Sequence, residues 1–398
     1  MKLIVFGHRL ELGGTQVNAI ELAADLRDRH GFDIVFHAAP GPALDLVAAH
    51  KLIYSPAPDV RLHPSIARIK ALRALVQREQ PDLIHAWDWW QGLEAYSGVH
   101  LPMGVPLVIS DMMMSLTRAM PREVPTTFGF VEQRDRAVRA GWRHTHLLLP
   151  PVDVDANAPG IGDGAAFRAR HGVRADEIAL VSVSRLAKVM KSEGLVRAIK
   201  VVGELGARLP LKLVIVGDGE ARAELQHMAD VVNARLGRDA VILIGAMNDP
   251  RPAYDASDIV LGMGGSALRG LAFAKPLVVI GERGFARLFT PKSTDGFLQS
   301  GMFGIGDGGA ENLEMEEALD TLCQSSETRH ALGEFGRSFV VKYHGLEAVG
   351  DGLAQVCHEA AMARPQLTQT LRDACRTSYY YLRERRFRVA SRDRHVKP

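Results

Sequence analysis

The chain has 398 residues, of which 47% are hydrophobic and 24% charged, and its formal net charge at pH 7 is +2. This composition argues against a disordered chain, and the chain is long enough for two domains. No run approaches the roughly 18 apolar residues of a membrane-spanning helix, and the N-terminal apolar run is too short for a signal peptide. The three cysteines form no CxxC pair, which favours reduced thiols. We therefore expect a cytoplasmic protein.

Short apolar strands alternate with amphipathic helices along the chain. The first half contains the strand patterns LIVF, DIVFH, DLIHA and PLVIS, and the second half contains IALVSVS, KLVIVG, AVILIG, DIVLGM and PLVVIG. This alternation is typical of βαβ units in parallel sheets. Between the halves, a segment rich in Pro, Gly, Asp and Asn breaks regular structure. The sequence predicts an α/β protein with two Rossmann-like domains, residues 1–155 and 156–345. Residues 346–398 are expected to form helices that return to the first domain, followed by a basic tail.

Glycine-rich turns follow three of the predicted strands. Open parallel sheets bind ligands at the carboxyl ends of their strands, and the free N–H groups at a helix start favour anions. A tight turn with no ligand is the alternative for each of these turns. The first contains Gly13 and Gly14 and leads into a helix opened by Thr15, the second contains Gly217, and the third contains Gly264 and Gly265, with Ser266 as the expected N-cap residue and Ala267 and Arg269 following.

Two cations bracket the loop in SVSRLAKVMKSEGL. Arg185 and Lys191 are six residues apart, after the first strand of the second half. Arginine offers a forked set of donors and lysine a point charge, so together they can grip a diphosphate from two sides. Since cations are common on protein surfaces, a solvated loop is the alternative.

The first half offers a candidate platform for an acceptor. HAWDWW places His85, Trp87, Asp88 and Trp89 at a strand end, where aromatic faces suit a sugar ring, although tryptophans of this kind also belong to cores. Asp111, at the end of PLVISD, can act as a base or hydrogen-bond an acceptor hydroxyl. The sequence 153–155 reads DVD, but no further acidic residues surround it, and we predict no metal site.

In the order of these motifs the chain resembles glycosyltransferases of the GT-B fold, most closely the retaining glycosyltransferase family 4. The resemblance runs over about residues 1–345 and rests on the Gly13–Gly14 pair, HAWDW, LPPVDVDAN, SRLAKVMKSEGL, LVIVGDGEARAEL, VILIGAMND and YDASDIVLGMGGSALRGLAFAKPLVV. It implies two Rossmann-like domains whose parallel sheets face each other across a cleft, with the acceptor against the first domain and the donor against the second.

The resemblance also implies roles for the motifs. Arg185 and Lys191 would hold the diphosphate of a nucleotide-sugar donor, so that catalysis is electrostatic and needs no metal. Residues 264–267 would present backbone to the donor sugar and the distal phosphate, Gly217 would border the same site, and Gly14 would approach the donor from the first domain. The acceptor would be a sugar, cyclitol, lipid or small metabolite, and no nucleic-acid partner is expected.

The sequence departs from the family pattern at three positions. Leu261 and Arg269 stand where the family usually carries two glutamates, and Met112, beside Asp111, stands where a histidine is often found. An arginine cannot accept hydrogen bonds from a ribose, because it has donors only. We favour an active transferase in which Arg269 donates to the nucleotide. The alternatives are a catalytically impaired nucleotide- or glycan-binding protein, and a nucleotide-sugar epimerase or hydrolase.

The C-terminus is basic. From Leu371 onward there are nine Lys and Arg residues against three Asp and Glu residues, interleaved with aromatics. Such a segment suits an anionic surface, including the inner face of a membrane. A solvated helix that frays into a disordered end is the alternative.

Overall fold

The computed structural model describes residues 1–113, 115–188, 191–309, 312–364 and 366–394, with the backbone alone over 385–394. It divides into two compact units. Unit 1 comprises residues 1–151 and the chain from Leu346 onward, and unit 2 comprises Val152–Gly345. In the part of the chain that the structure describes, no helix combines the length and apolarity needed to cross a membrane.

Unit 1 is built on a seven-stranded sheet in which every neighbouring pair is parallel, in the order β3-β2-β1-β4-β5-β6-β7. Its strands are β1 (Lys2–Phe6), β2 (Asp33–Ala38), β3 (Ile53–Pro56), β4 (Leu83–Trp87), β5 (Leu107–Asp111), β6 (Thr126–Phe128) and β7 (Thr145–Leu147). The first helices are α1 (Gly14–His30), α2 (Leu44–Ala49), α3 (Ile66–Glu79), α4 (Asp88–Ala95), a π-helical turn (Tyr96–His100), α5 (Leu101–Met103) and α6 (Val131–Arg139).

Unit 2 is built on a six-stranded sheet in the order β10-β9-β8-β11-β12-β13, in which only the β12–β13 pair is antiparallel. Its strands are β8 (Ile178–Val183), β9 (Leu211–Val216), β10 (Val241–Gly245), β11 (Ile259–Gly262), β12 (Leu277–Ile280) and β13 (Ala286–Leu288). Its helices are α7 (Gly164–Arg170), α8 (Ser192–Leu205), α9 (Arg222–Leu236), α10 (Arg251–Ala256), α11 (Gly265–Ala272), α12 (Thr294–Ser300), α13 (Leu313–Gln324) and α14 (Ser326–His344).

Two further helices, α15 (Leu346–Met362) and α16 (Leu367–Arg394), belong to unit 1. Apolar side chains of α15, among them Leu353, join the same core cluster as side chains of β1 and α1. Gly350 allows the close approach of α15 to α1, because a Cβ there would lie 1.9 Å from a carboxylate oxygen of Asp25. The apolar face of α15 therefore completes the core of unit 1.

The start of α16 is a built part of unit 1, so the basic segment that begins at Leu371 starts within a packed helix. Asp373 and Thr377 are buried. The Asp373 carboxylate accepts a hydrogen bond from the backbone N–H of Arg122 at 2.9 Å and is paired with Arg376 at 2.8 Å. The first turns of α16 thus contribute packing and hydrogen bonds, and only the later part of the helix can act as a tail.

Both sheets reverse their strand order at one point, which positions the candidate sites. In unit 1 the reversal lies between β1 and β4, and in unit 2 it lies between β8 and β11. In open α/β sheets, ligands bind outside the carboxyl ends of the strands at such a point. The loops that follow these four strands, together with those after β5 and β9, are therefore where a site is expected.

Candidate functional site

The loop after β8, which carries Arg185, is clamped by the turn after β9. The Ser184 N–H donates to the Val216 carbonyl at 3.0 Å, and the Leu186 N–H donates to the Asp218 carbonyl at 2.9 Å. A Cβ at Gly217, where φ is +149°, would lie 1.8 Å from the Ser184 carbonyl oxygen. Only glycine can therefore occupy this position without moving the loop.

Gly217 supports the loop but does not offer a backbone donor to a ligand. Its N–H donates to the Gly245 carbonyl at 2.8 Å. The N–H of Gly217 is thus engaged within the sheet, and its predicted place at the border of the donor site stays a prediction. Its position fixes the backbone on which Arg185 stands.

Arg185 and Lys191 form a pair of cations without a counter-charge. Arg185 is exposed, and Lys191 is partly buried at the N-cap of α8. Among the described residues, no carboxylate lies within ion-pair distance of either side chain. Burial, and then the positive charge of Arg185, lower the pKa of Lys191 below its usual range. An anion bound here would relieve the repulsion between the two charges.

The loop with Arg185 follows β8, and α11 follows β11. Because β8 and β11 are neighbours in the sheet, the start of α11 lies next to this pair. Gly264 is the N-cap residue, with φ +56°, and its N–H donates to the Met302 carbonyl at 2.6 Å. The first bond of the helix runs from the Leu268 N–H to the Gly264 carbonyl, so the N–H groups of residues 265–267 precede it. These three donors form an anion-seeking helix start.

Ser266 is the second residue of α11, not its N-cap as the sequence suggested. Its hydroxyl donates to the Met263 carbonyl at 2.9 Å. This bond turns the hydroxyl back toward the loop before the helix, while glycine supplies the unusual dihedral angles of the N-cap.

Arg269 is the fifth residue of α11 and therefore lies beyond the first turn of the helix. Its guanidinium nevertheless extends back toward the helix start, since a Cβ at Gly265 would lie 3.5 Å from its Nη1 atom. Leu261, at the other position where the resemblance implies a glutamate, is fully buried in β11. The helix start is thus flanked by a cation and lacks both carboxylates.

In unit 1, the glycine pair stands at the start of α1. Gly13 is the extended N-cap residue, and Gly14 begins the helix. Gly14 is exposed, and a Cβ there would meet nothing within 4 Å, so its backbone is open to approach. The first bond of the helix comes from the Val17 N–H, which leaves the N–H groups of residues 14–16 before it.

The structure contradicts the aromatic platform expected in HAWDWW. His85 and Trp87 are 1% exposed. The His85 ring bonds Ser110 through Nε2 at 2.7 Å, and burial lowers its pKa to about 3, so it is neutral. Trp89 is buried as well, and its ring stacks on that of Trp90 at 3.6 Å between centroids. His85 and Trp87 are buried because β4 lies in the middle of the sheet with both faces covered, and Trp89, on α4, belongs to a core cluster of unit 1.

Asp88 differs from its aromatic neighbours because it lies at the carboxyl end of β4. Its backbone adopts the left-handed φ of +62°, which aspartate tolerates better than most residues and which is common at functional sites. One carboxylate oxygen, Oδ2, lies 2.5 Å from His8 Nε2, and the other, Oδ1, accepts the Met112 N–H at 2.9 Å.

Asp111 ends the neighbouring strand, β5, and is 1% exposed. Its Oδ1 atom accepts the Met113 N–H at 3.2 Å, whereas its Oδ2 atom has no hydrogen-bond partner among the described residues. Burial, and then the negative charge of Asp88, raise the pKa of Asp111 to about 8. At neutral pH this carboxyl group therefore carries a proton and can donate a hydrogen bond.

His8 is the site residue that the sequence reasoning missed. It follows β1 and reaches Asp88 across 80 positions of sequence. A single histidine carries no local pattern, and its place directly after a buried strand was the only available signal. The structure thus brings His8, Asp88 and Asp111 together at the ends of three adjacent strands, with Gly13 and Gly14 following the same strand as His8.

No metal centre stands out. Among the described residues, no group of three or more His, Cys, Asp or Glu side chains is arranged to hold a metal ion. The Asp153 carboxylate accepts the N–H groups of Asp155 and Ala156 at 3.1 and 2.8 Å, so the DVD sequence forms a local turn.

Two family models match the chain in succession. Residues 12–111 match Glycosyltransferase Family 4, and residues 177–301 match Glycosyl transferases group 1. The first match covers the glycine pair and strands β2 to β5 of unit 1, and the second covers the sheet of unit 2 from β8 to β13 together with the Arg185 loop. No curated protein sequence matches the chain.

Solved structures with the same architecture include glycosyltransferases. HepE of Anabaena in complex with UDP has a TM-score of 0.69 at 15% identity, over 90% of this chain and 100% of that one. A glycosyltransferase from Rickettsia africae has a TM-score of 0.71 at 12% identity, over 91% and 99%. Sucrose-phosphate synthase from Thermosynechococcus elongatus has a TM-score of 0.64 at 14% identity, over 90% and 98%.

These structural likenesses confirm the expected fold class, a GT-B fold of two Rossmann-like units. The two family matches, one in each unit, identify the chain as a GT4-like glycosyltransferase.

Proposed function

We propose that the protein transfers a sugar from a nucleotide diphosphate to a hydroxyl acceptor, with retention of configuration as its family resemblance implies and without a required metal. The observation that carries the proposal is the pair of Arg185 and Lys191. Two cations without a counter-charge repel each other, and they stand at the switch point of unit 2, where the sheet is built to receive a ligand. A diphosphate supplies the missing negative charge.

The donor diphosphate becomes more negative as the bond to the sugar breaks. Arg185 and Lys191 stabilise this developing charge, which lowers the barrier by electrostatics. The N–H groups of residues 265–267 add three donors aimed at phosphate or sugar oxygens. In this assignment Ser266 and Ala267 contact the donor through their backbone, and Ser266 Oγ keeps its bond to Met263.

Arg269 takes part by donating hydrogen bonds to the nucleotide. Because its guanidinium extends back over the first turn of α11, it can reach a phosphate or ribose oxygen at the helix start. Arginine offers five N–H donors and no acceptor, so it binds nucleotide oxygens without the ribose contact that a glutamate would make. The protein is thus an active transferase with an altered nucleotide contact.

The acceptor binds unit 1 at the carboxyl ends of β1, β4 and β5. The backbone at Gly14 is open to a ligand, and Asp111 and Asp88 supply polar contacts. A neutral Asp111 suits an acceptor with several hydroxyl groups, since it can donate as well as accept. Acceptors of this class include sugars, cyclitols, glycolipids and small polyol metabolites.

The nucleotide requires a direct test. HepE has been solved with UDP and with UDP-glucose, so UDP-glucose is the first donor to try. The full chain is mixed with UDP-, GDP-, ADP- and dTDP-sugars, and its thermal unfolding and the release of free nucleotide are measured. We expect one nucleotide class to raise the unfolding temperature and to be released in the presence of an acceptor. No stabilisation by any of the four classes would overturn the donor site. Stabilisation without turnover would favour a binding protein.

We also propose that the later part of α16 contacts an anionic membrane surface. Leu371, Tyr379 and Leu382 are exposed and fall on one side of the helix, beside exposed Arg372 and Arg383. The full chain and the variant Leu371→Ser/Tyr379→Ser/Leu382→Ser are sedimented with vesicles of phosphatidylglycerol and phosphatidylcholine. Equal binding by both proteins would rule out a role for this face of α16. The variant retains Asp373 and Thr377, which the fold needs.

A further inference from the structure

We propose that the cavity between the first turns of α16 and the amino ends of β6 and β7 binds a phosphate group, held by Arg122, Arg143 and Arg372. The amino ends of these strands lie at the edge of the sheet opposite the one to which the acceptor is assigned. This site is therefore separate from the proposed transfer reaction and does not depend on it. The phosphate belongs either to a soluble phosphate ester or to the headgroup of a phospholipid.

The first support is the charge of the cavity, which has a volume of about 160 Å³. Four arginines and two carboxylates belong to its lining: Arg122, Arg143, Arg372, Arg376, Glu123 and Asp373. The ionised side chains of the lining therefore carry an excess of positive charge. Because a water molecule takes about 30 Å³ in the liquid, the cavity has room for an anion of a few non-hydrogen atoms. The arginines come from the loops before β6 and β7 and from α16, so only the folded unit brings them together.

One ion pair of the lining builds the wall of the cavity. Asp373 accepts hydrogen bonds from Arg376 Nε at 3.0 Å and from the backbone N–H of Arg122 at 2.9 Å. Arg376 also donates to the carbonyls of Arg118 and Met120, at 2.7 and 2.6 Å. These bonds fasten α16 to the loop before β6. Both charges of this pair are thus engaged within the protein.

Two arginines of the lining have no counter-charge. Glu123, the other carboxylate, lies 3.2 Å from Arg143 Nε. Among the described residues, no carboxylate lies within ion-pair distance of Arg122 or Arg372. A phosphate ester carries between one and two negative charges at neutral pH, and guanidinium groups bind its oxygens in a forked geometry. A phosphate would therefore neutralise the two charges and use the donors that the fold leaves over.

Arg122 is held in place without an acceptor. Its Cζ atom lies 4.6 Å from the centroid of the Trp142 ring, and a Cβ at Gly141 would lie 3.3 Å from its Nη1 atom. Its Nε atom is buried and has no hydrogen-bond partner among the described residues, so the Nη groups are the donors available to a ligand. Burial, and then the positive charge of Arg376, lower the pKa of the Arg122 guanidinium. A bound anion would offset this unfavourable environment.

A second cavity, of about 280 Å³, adjoins the first, since Glu123 and Gln369 line both. Its lining includes the apolar side chains of Leu107, Val124 and Pro125. This space can take the organic group to which the phosphate is esterified. We therefore expect an organic phosphate to bind more tightly than inorganic phosphate.

Calorimetric titration of the full chain with sn-glycerol 3-phosphate and with inorganic phosphate, in the absence of nucleotide, tests the site. We expect Arg122→Gln and Arg372→Gln each to lower the affinity for the ester by about 10-fold or more, because each removes charge-assisted hydrogen bonds. Arg372 is exposed and forms no ion pair with a described residue, so its variant should fold even where Arg122→Gln does not.

Arg139→Gln is the matched control. Arg139 is exposed in the last turn of α6, two residues before Gly141, but it does not line the cavity. We expect this variant to bind the ester as the wild type does. An equal loss of affinity in Arg139→Gln and Arg372→Gln would show a diffuse charge effect and overturn the site.

Arg185→Ala separates this inference from the donor proposal, because the cations of unit 2 can also attract a phosphate. We expect Arg185→Ala to keep the affinity for glycerol 3-phosphate that Arg122→Gln loses. If Arg185→Ala abolishes this binding and Arg122→Gln and Arg372→Gln do not, the phosphate site fails and the donor proposal stands. If glycerol 3-phosphate binds through Arg122 and no nucleotide binds, the donor proposal fails and the phosphate site stands.

Vesicles of phosphatidylcholine, with and without phosphatidate, distinguish the two sources of the phosphate. Sedimentation with phosphatidate that falls in Arg122→Gln and Arg372→Gln but not in Arg139→Gln would identify the lipid headgroup. Binding of glycerol 3-phosphate that depends on the same two arginines, with vesicle sedimentation unchanged, would identify a soluble ester. If neither measurement depends on Arg122 or Arg372, the phosphate site is contradicted.

Discussion

The carbonyl oxygen of Ser184 occupies the space where a side chain on Gly217 would begin, 1.8 Å from the position of a Cβ atom. Gly217→Ala must therefore displace the loop that carries Arg185. We expect a loss of about 2–4 kcal/mol in the free energy of unfolding, from overpacking and from the strained dihedral angle. Nucleotide affinity should fall as well, which calorimetry with the preferred nucleotide measures.

Gly237→Ala is the control for this variant. Gly237 ends α9 with φ +65°, and a Cβ there would meet nothing within 4 Å. The Gly237→Ala variant should lose about 1 kcal/mol in its free energy of unfolding, from the left-handed backbone alone, and should bind nucleotide normally. Normal nucleotide affinity in Gly217→Ala would mean that the clamp does not position Arg185.

Removing either cation of the pair should weaken nucleotide binding. Each charge-assisted hydrogen bond contributes about 1.5–3 kcal/mol, so Arg185→Ala and Lys191→Ala should each lower affinity by about 10- to 100-fold. Lys188→Ala is the control, since Lys188 is exposed in the same loop. Calorimetric titration with the nucleoside diphosphate and with the matching monophosphate should show the larger loss for the diphosphate. An equal loss for the Lys188 variant would indicate a diffuse charge effect.

Arg269→Glu should weaken nucleotide binding, although it restores the residue type implied by the family resemblance. The new carboxylate would lie near the helix start and repel the phosphates that the N–H groups of residues 265–267 attract. Arg287→Glu, on the edge strand β13, makes the same change of charge in unit 2 away from this helix. Tighter binding by Arg269→Glu than by the wild type would show that the arginine has another role.

The stability of the protein should depend on Asp111 in the neutral pH range. Its pKa is raised to about 8 by burial and by Asp88, so the folded protein keeps a proton that the unfolded chain has lost above about pH 4. This contribution to stability is complete below pH 4 and is lost as the pH rises to about 8. Between pH 5 and 8, the free energy of unfolding of the wild type should fall by on the order of a few kcal/mol relative to that of Asp111→Asn. Urea unfolding measures this difference.

Asp28→Asn provides the contrast. Arg27 lowers the pKa of the Asp28 carboxyl, so that group stays ionised in both states from pH 5 to 8. Its substitution should change stability by an amount that is constant over this range. A constant difference for Asp111→Asn as well would contradict a protonated Asp111.

The strands that the sequence predicted were the apolar ones. β1, β2, β4 and β5 are buried runs in the middle of the first sheet, and each was found. β3, β6, β7 and β13 were missed, because they are short and lie toward the edges of the sheets, where no long apolar run is needed.

The parts of the candidate site that could be predicted are the loops with a recognisable sequence pattern. Glycine pairs and the spacing of Arg185 and Lys191 can be recognised locally. The role of Gly217 could not be, because the clash with Ser184 arises only when β8 pairs with β9. Trp87 was misplaced since a strand covered on both faces buries its aromatic residues. The contact between His8 and Asp88 depends on the adjacency of β1 and β4. No local sequence pattern predicts this contact.

The return of α15 to unit 1 has a consequence for biosynthesis. Unit 2 is one continuous stretch of chain, so all of its residues are synthesised before the second part of unit 1. The core of unit 1 stays incomplete until Val349, Leu353 and Cys357 are synthesised, because these residues cover side chains of β1 and α1. A nascent chain would thus contain a finished second half beside an apolar surface still open to chaperones.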